Sequence, residues 1–118
     1  MEVRSRHEAT PFTTKDGSTI RVLLDAASGG AVNQSLAEAE LAPGQATDRH
    51  YHALTEELYV LLQGHAEMEV EGERRSVAAG DAILIPAGAW HEIRAYDEPV
   101  RFLCCCAPPY SDDDTYFE

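Results

Sequence analysis

Turn-forming residues interrupt this chain every eight to twelve positions, and between them apolar side chains recur with period two or in short runs. That pattern belongs to a sandwich or barrel of short strands, and no stretch carries the 3.6-residue period of a useful helix. Lys15-Asp16-Gly17-Ser18 reads as a hairpin turn within Thr13 to Leu24, because Asp-Gly readily reverses the chain. Ser28-Gly29-Gly30, Pro43-Gly44, Gly64, Glu71-Gly72-Glu73, Ala79-Gly80-Asp81, Pro86-Ala87-Gly88 and Asp97-Glu98-Pro99 punctuate the rest. Roughly nine or ten strands follow from this spacing, with a short strand segment near the N-terminus and a polar tail from Pro108 to Glu118. The tail, PPYSDDDTYFE, is too polar for the core except through Tyr110, Tyr116 or Phe117.

Along Asn33 to Leu41, alternation sets Ala37, Ala39 and Leu41 on one face and Leu36, Glu38 and Glu40 on the other. The glutamates are expected to face water, which sends Asn33 and Ser35 inward with the alanines as candidates for lining a pocket. Tyr59 shares parity with Glu57 and joins them as a pocket candidate.

At 118 residues the chain suits one all-β domain spanning 1–118. Acidic residues outnumber basic ones 21 to 9, for a formal charge of −12. Nucleic acids and anionic lipid surfaces attract proteins through Lys and Arg, so neither is expected as a partner. No apolar run is long enough to cross a bilayer, and the first residues lack the apolar stretch of a secretory signal. A cytoplasmic location is the resulting expectation. Cys104, Cys105 and Cys106 are consecutive, so they form no even disulfide framework and point to alternating faces of a strand. The expectation for them is small, apolar packing.

The chemistry concentrates elsewhere. His50-Tyr51-His52 opens a strand with both imidazoles on one face. Glu57 begins the next strand, and His91 follows a Pro-Gly turn far along the chain. Neutral imidazoles with one carboxylate suit first-row divalent metals. Taken singly, each residue is as easily a satisfied core or surface group. His65 and His7 carry no such context.

The spacing joins them. Gly44, five residues, His50, one residue, His52, four residues, Glu57, six residues, Gly64 resembles the first motif of the cupin family. Gly80, five residues, Pro86, one residue, Gly88, two residues, His91 resembles the second. The C-terminal stretch FLCCCAPPYSDDDT also resembles small bacterial members. Ala95 departs from the pattern, standing where the family usually has a structural Asn.

The resemblance implies a double-stranded β-helix, or jelly-roll barrel. It also implies one divalent transition metal (Fe, Mn, Ni, Cu or Zn) held by His50, His52, Glu57 and His91. Three imidazoles and a carboxylate leave coordination positions open, the mark of a catalytic site. A metalloenzyme acting on a small oxygenated metabolite, with O₂-dependent dioxygenase-type chemistry foremost, is the functional expectation. A non-catalytic module sensing a small ligand or metal is the alternative, and a metal-independent sugar isomerase or epimerase the second. Small cupins commonly dimerise, so a homodimer is expected.

Overall fold

The computed structural model describes residues 1–118, and two antiparallel sheets face each other across one core. The strands are β1 (Phe12–Thr13), β2 (Thr19–Leu24), β3 (Ser35–Leu41), β4 (His50–His52), β5 (Glu56–Gln63) and β6 (His65–Val70). They continue as β7 (Glu73–Ala78), β8 (Ala82–Ile85), β9 (His91–Ala95), β10 (Val100–Ala107) and β11 (Thr115–Phe117). One sheet has the order β1-β2-β3-β10-β5-β8 and the other β11-β4-β9-β6-β7. This is the jelly-roll barrel that the turn spacing and motifs imply. Two single-turn 3₁₀ helices, Arg6–Glu8 and Asp112–Asp114, are the only helical pieces. No helix is long and apolar enough to cross a membrane.

Inward-facing alternate residues supply the core. Leu61 and Tyr59 on β5, Phe102 and Val100 on β10 and Ile85 on β8 line one side, and Ile93 and Met68 close it from the other sheet. Phe102 and Tyr59 rings pack 4.7 Å apart at a 45° tilt, a geometry aromatic pairs favour. Ala39, Ala66 and Ala95 are buried in the same core, so Ala95 here packs as core.

Two glycines show why the turns need that residue. Gly64 has φ +82°, and a Cβ there would lie 2.3 Å from the Pro99 carbonyl oxygen. Gly88 has φ +82° and donates its N–H to the His52 carbonyl at 2.6 Å, tying the turn before β9 to β4. The two strands that carry all three imidazoles are thereby fastened together.

Three expectations need correction. Glu38 does point away from the core, yet it is buried at 3% exposure. The N-terminal segment folds over that face, bringing Arg6 Nε within 2.8 and 2.9 Å of its two oxygens, with Arg101 at 3.4 Å. The tail is not merely a solvated end: Thr115–Phe117 forms β11 and pairs with β4, because Thr-Tyr-Phe suits a strand and Tyr116 stacks on Tyr51 at 5.0 Å. Asn33 sits in a bend ahead of β3, exposed, since the strand begins two residues later than alternation alone suggests. It does not reach the barrel interior.

Candidate metal centre

β4 delivers His50 and His52 to the same inner face, and β9 pairs with β4 at the single register His50–His91. The three ligand-capable nitrogens lie within 4.8 Å of one another, and all three residues are buried. Glu57, at the start of β5, enters from the opposite sheet. Its Oε1 is 3.3 Å from His52 Nε2 and 3.5 Å from His91 Nε2. The four residues singled out by spacing therefore converge on one point inside the barrel.

The hydrogen bonds around them decide which atoms are free. His50 Nδ1 is 2.7 Å from the Asp48 carbonyl, and His91 Nδ1 is 2.9 Å from the Ala89 carbonyl. A carbonyl only accepts, so both rings carry their proton on Nδ1. His52 Nδ1 meets Thr115 Oγ1 at 3.1 Å, and that hydroxyl gives its own hydrogen to the Ser111 carbonyl at 2.9 Å. Thr115 must then accept from His52, which fixes the third ring in the same tautomer. In the neutral form of each ring the Nε2 lone pair then faces inward, as metal-bound imidazoles require.

The carboxylate is prepared in the same way. Cys106 Sγ lies 3.1 Å from Glu57 Oε2 and donates its S–H there. Oε1 is left without a hydrogen-bond partner, as is His91 Nε2, although both are buried. A lone pair directed at a carboxylate oxygen 3.5 Å away is unfavourable unless a proton or a metal cation sits between them, and orphaned buried polar atoms are costly. The donor set thus fits a divalent transition metal, with nitrogens and a hard oxygen aimed at one place.

Electrostatics agree. Burial would raise the Glu57 carboxyl, but hydrogen bonds and positive charge from His52 and His91 in their protonated forms outweigh this and hold it at about 2. Burial lowers His50, assisted by its neighbour His91. Glu57 is thereby kept an ionised carboxylate, and burial favours the neutral form of His50. Burial beside Glu57 pushes the Cys106 and Tyr59 groups up, so thiol and phenol stay protonated.

The cluster of candidate ligands opens on a cavity of about 100 Å³. His50, His52 and Glu57 reach it, while His91 is sealed behind them. Ser35 and Tyr59 lie on the wall of this cavity, Tyr59 also packing in the core, with Cys104 and Cys106 beside them. His7 and His65 are exposed and stand apart from this cavity. Sequence reasoning missed Cys106 and Thr115. Each is placed by cross-strand register, Cys106 opposite Glu57 and Thr115 opposite His52. The expectation that all three cysteines are packing groups fails for Cys106, because its parity turns the thiol inward onto a carboxylate.

Residues 37–106 match the cupin domain family. The chain belongs to the cupins. An uncharacterised protein of Methanocaldococcus jannaschii is 43% identical over 106 residues, covering 89% of this cupin and 85% of that protein. The polyketide synthase protein CurC of Streptomyces cyaneus is 30% identical over 95 residues, or 80% of this chain and 62% of CurC. Among solved structures, KdgF from a Halomonas species superposes with a TM-score of 0.82 at 20% identity, covering 96% of this chain and 97% of KdgF. That likeness is one of fold.

Proposed function

We propose that this cupin is a metal-dependent enzyme acting on a small oxygenated metabolite, with O₂-dependent oxidation its leading chemistry. The observation that carries the proposal is the pair of orphaned buried atoms, Glu57 Oε1 and His91 Nε2, aimed at each other. Neither atom has a hydrogen-bond partner in the protein, and a divalent cation placed between them would satisfy both.

His50, His52, His91 and Glu57 would hold the metal. A divalent metal here would bear a net charge of about +1, polarise bound oxygens and, if iron or copper, engage O₂. The chain's own side chains do the remainder. Cys106 and Thr115 hold Glu57 and His52 in their binding orientations. Tyr59 lines the cavity and keeps its phenolic proton, so it would offer a hydrogen bond, not a proton, to a substrate oxygen. Phe102 and Ile20 keep the wall apolar, which strengthens electrostatic effects inside. The cavity is small against the roughly 300–1,000 Å³ of sites for drug-sized ligands, so the reacting part of the substrate is small. Similarity to a polyketide synthase protein points the same way, since polyketides carry closely spaced oxygens able to grip one metal from two sides.

The test is elemental analysis of the purified protein, followed by O₂ uptake with diketones, flavonols, thiols and sugar acids. The expected result is about one metal per chain, lost in His91→Ala, with turnover of a substrate bearing two neighbouring oxygens. Metal-free protein as purified, and again after incubation with Fe(II), Mn(II) and Zn(II), would sink the proposal. Full metal occupancy without turnover of any of these compounds would favour a binding module.

A further inference from the structure

The cavity beside the metal cluster contains no cation of its own. Of the nine basic side chains in the sequence, none lines it. Its acidic side chains are Glu57, Asp16 and Asp25. Asp16 lines the same cavity as His50, Tyr59 and Cys104, and its charge acts on each. One of its oxygens accepts from the Ser18 backbone at 2.9 Å and hydroxyl at 2.6 Å. Asp25 likewise accepts from the Ser28 backbone at 2.6 Å. No Lys or Arg neutralises either.

The groove outside the cavity continues the pattern. It shares Phe12, Thr14, Val22 and Asp25 with the cavity, and adds Asp112 and Asp113 against a single exposed Lys15. Tyr110 stands between the two, its hydroxyl donating to Asp112 at 2.8 Å. Most of the remaining wall is apolar, built from Phe12, Ile20, Val22, Ala39 and Phe102, with the hydroxyl-bearing Thr14, Ser18, Ser35 and Tyr59 between them.

Resting on the metalloenzyme reading above, we propose that the site takes a chelating ligand with no remote negative charge: an uncharged, largely apolar molecule bearing two neighbouring oxygens. The charge balance leads there. Glu57 reduces a divalent metal to about +1, enough to match one ionised chelating oxygen. A carboxylate or phosphate elsewhere on the ligand would enter an apolar wall facing Asp16 and Asp25, with no partner. Burying an unpaired charge is expensive, and like charges make it more so. Sites for acidic substrates carry Arg or Lys for this reason. Sugar acids and small dicarboxylates are therefore excluded, and neutral hydroxycarbonyl, diketone and catechol-like groups are admitted.

The test uses Co(II)-loaded protein, without O₂, titrated with catechol, 3,4-dihydroxybenzoate and the methyl ester of that acid. All three share one chelating group, and the visible Co(II) bands report binding without turnover. Catechol and the ester are expected to bind at least about tenfold tighter than the acid. Asp16→Asn with Asp25→Asn should narrow that gap to about threefold by improving the acid alone. Asn retains the acceptor oxygen that each turn uses. Raising salt on the unaltered protein should narrow the gap in the same direction, independently of any variant. Equal or tighter binding of the acid overturns the inference while leaving the metalloenzyme reading intact. So does an ester that binds as poorly as the acid, since bulk would then be the cause. Co(II) loading with no response to catechol also overturns it. Failure of Co(II) to load at all overturns both.

Discussion

Glu38 and Glu57 lie on β3 and β5, the two strands that flank β10, and are buried almost equally, at 3% and 4% exposure. Their surroundings are opposite. Glu38 is gripped by Arg6 through both oxygens and touched by Arg101. Glu69, the third buried glutamate, is treated alike, with Arg49 on one oxygen at 2.6 Å and the Gly72 N–H on the other at 3.0 Å. Glu57 has no arginine. One oxygen accepts from a thiol, and the other faces nitrogen lone pairs. Burial by itself thus says little about a carboxylate. What separates a structural from a functional one here is an acceptor that the fold leaves unanswered while fixing everything around it.

The strongest way to break this contrast is to remove the charge from each glutamate. Glu57→Gln should cost metal affinity on the order of a thousandfold, because a charge lost at contact distance is worth about 4 kcal/mol at a surface-like dielectric. Metal content by elemental analysis reads this directly. Stability of the chelated protein should change by less than about 1 kcal/mol, since no protein cation is orphaned. Glu38→Gln should do the reverse. Metal content stays at the unaltered level, and urea unfolding shows a loss of about 2 kcal/mol, the worth of hydrogen bonds to a charged group with half-exposed arginines. If Glu38→Gln strips the metal, or Glu57→Gln leaves it, the distinction fails.

The same contrast explains how much was readable in advance. The barrel was legible because period-two alternation and turn residues are local signals. The four converging residues were legible because their spacing sits on those turns, with His50 and His52 on one face by strand geometry alone. Cys106 and Thr115 were not, because their partners lie 49 and 63 positions away. Register between strands sets such contacts, and no local pattern encodes it. Glu38 was placed on the correct face and given the wrong environment. Alternation says which side of a sheet a residue occupies, not whether another segment, here the turn at Arg6, covers that side.

Cys106 offers a finer probe of the prepared carboxylate. Cys106→Ala removes the donor to Glu57 Oε2 and should weaken metal binding about tenfold, as loss of an outer hydrogen bond to a ligand does. Cys106→Ser keeps an O–H in the same position and should recover most of that affinity. Competition against a chelator of known strength separates the two variants. Equal losses in both would mean that the thiol only fills space.

The smallest effect expected concerns protons. Burial and the neighbouring His91 lower His50 below its ordinary value of 6.5. The unfolded chain therefore binds a proton in this range that the folded chain resists. Stability must fall as pH drops below about 6.5, and can fall by no more than about 1.4 kcal/mol per pH unit for one group. Glu57, held at about 2, stays ionised between pH 7.5 and 5.5 and adds nothing to that slope. Metal competes with protons for the same nitrogens, so the measurement belongs on chelated protein, by urea unfolding at the two pH values. His50→Gln should flatten the slope, whereas His65→Gln, at an exposed turn away from the cluster, should leave it unchanged. A slope that survives His50→Gln would place the proton-sensitive group elsewhere, and the imidazole cluster would lose its claim to be preset in its metal-binding form.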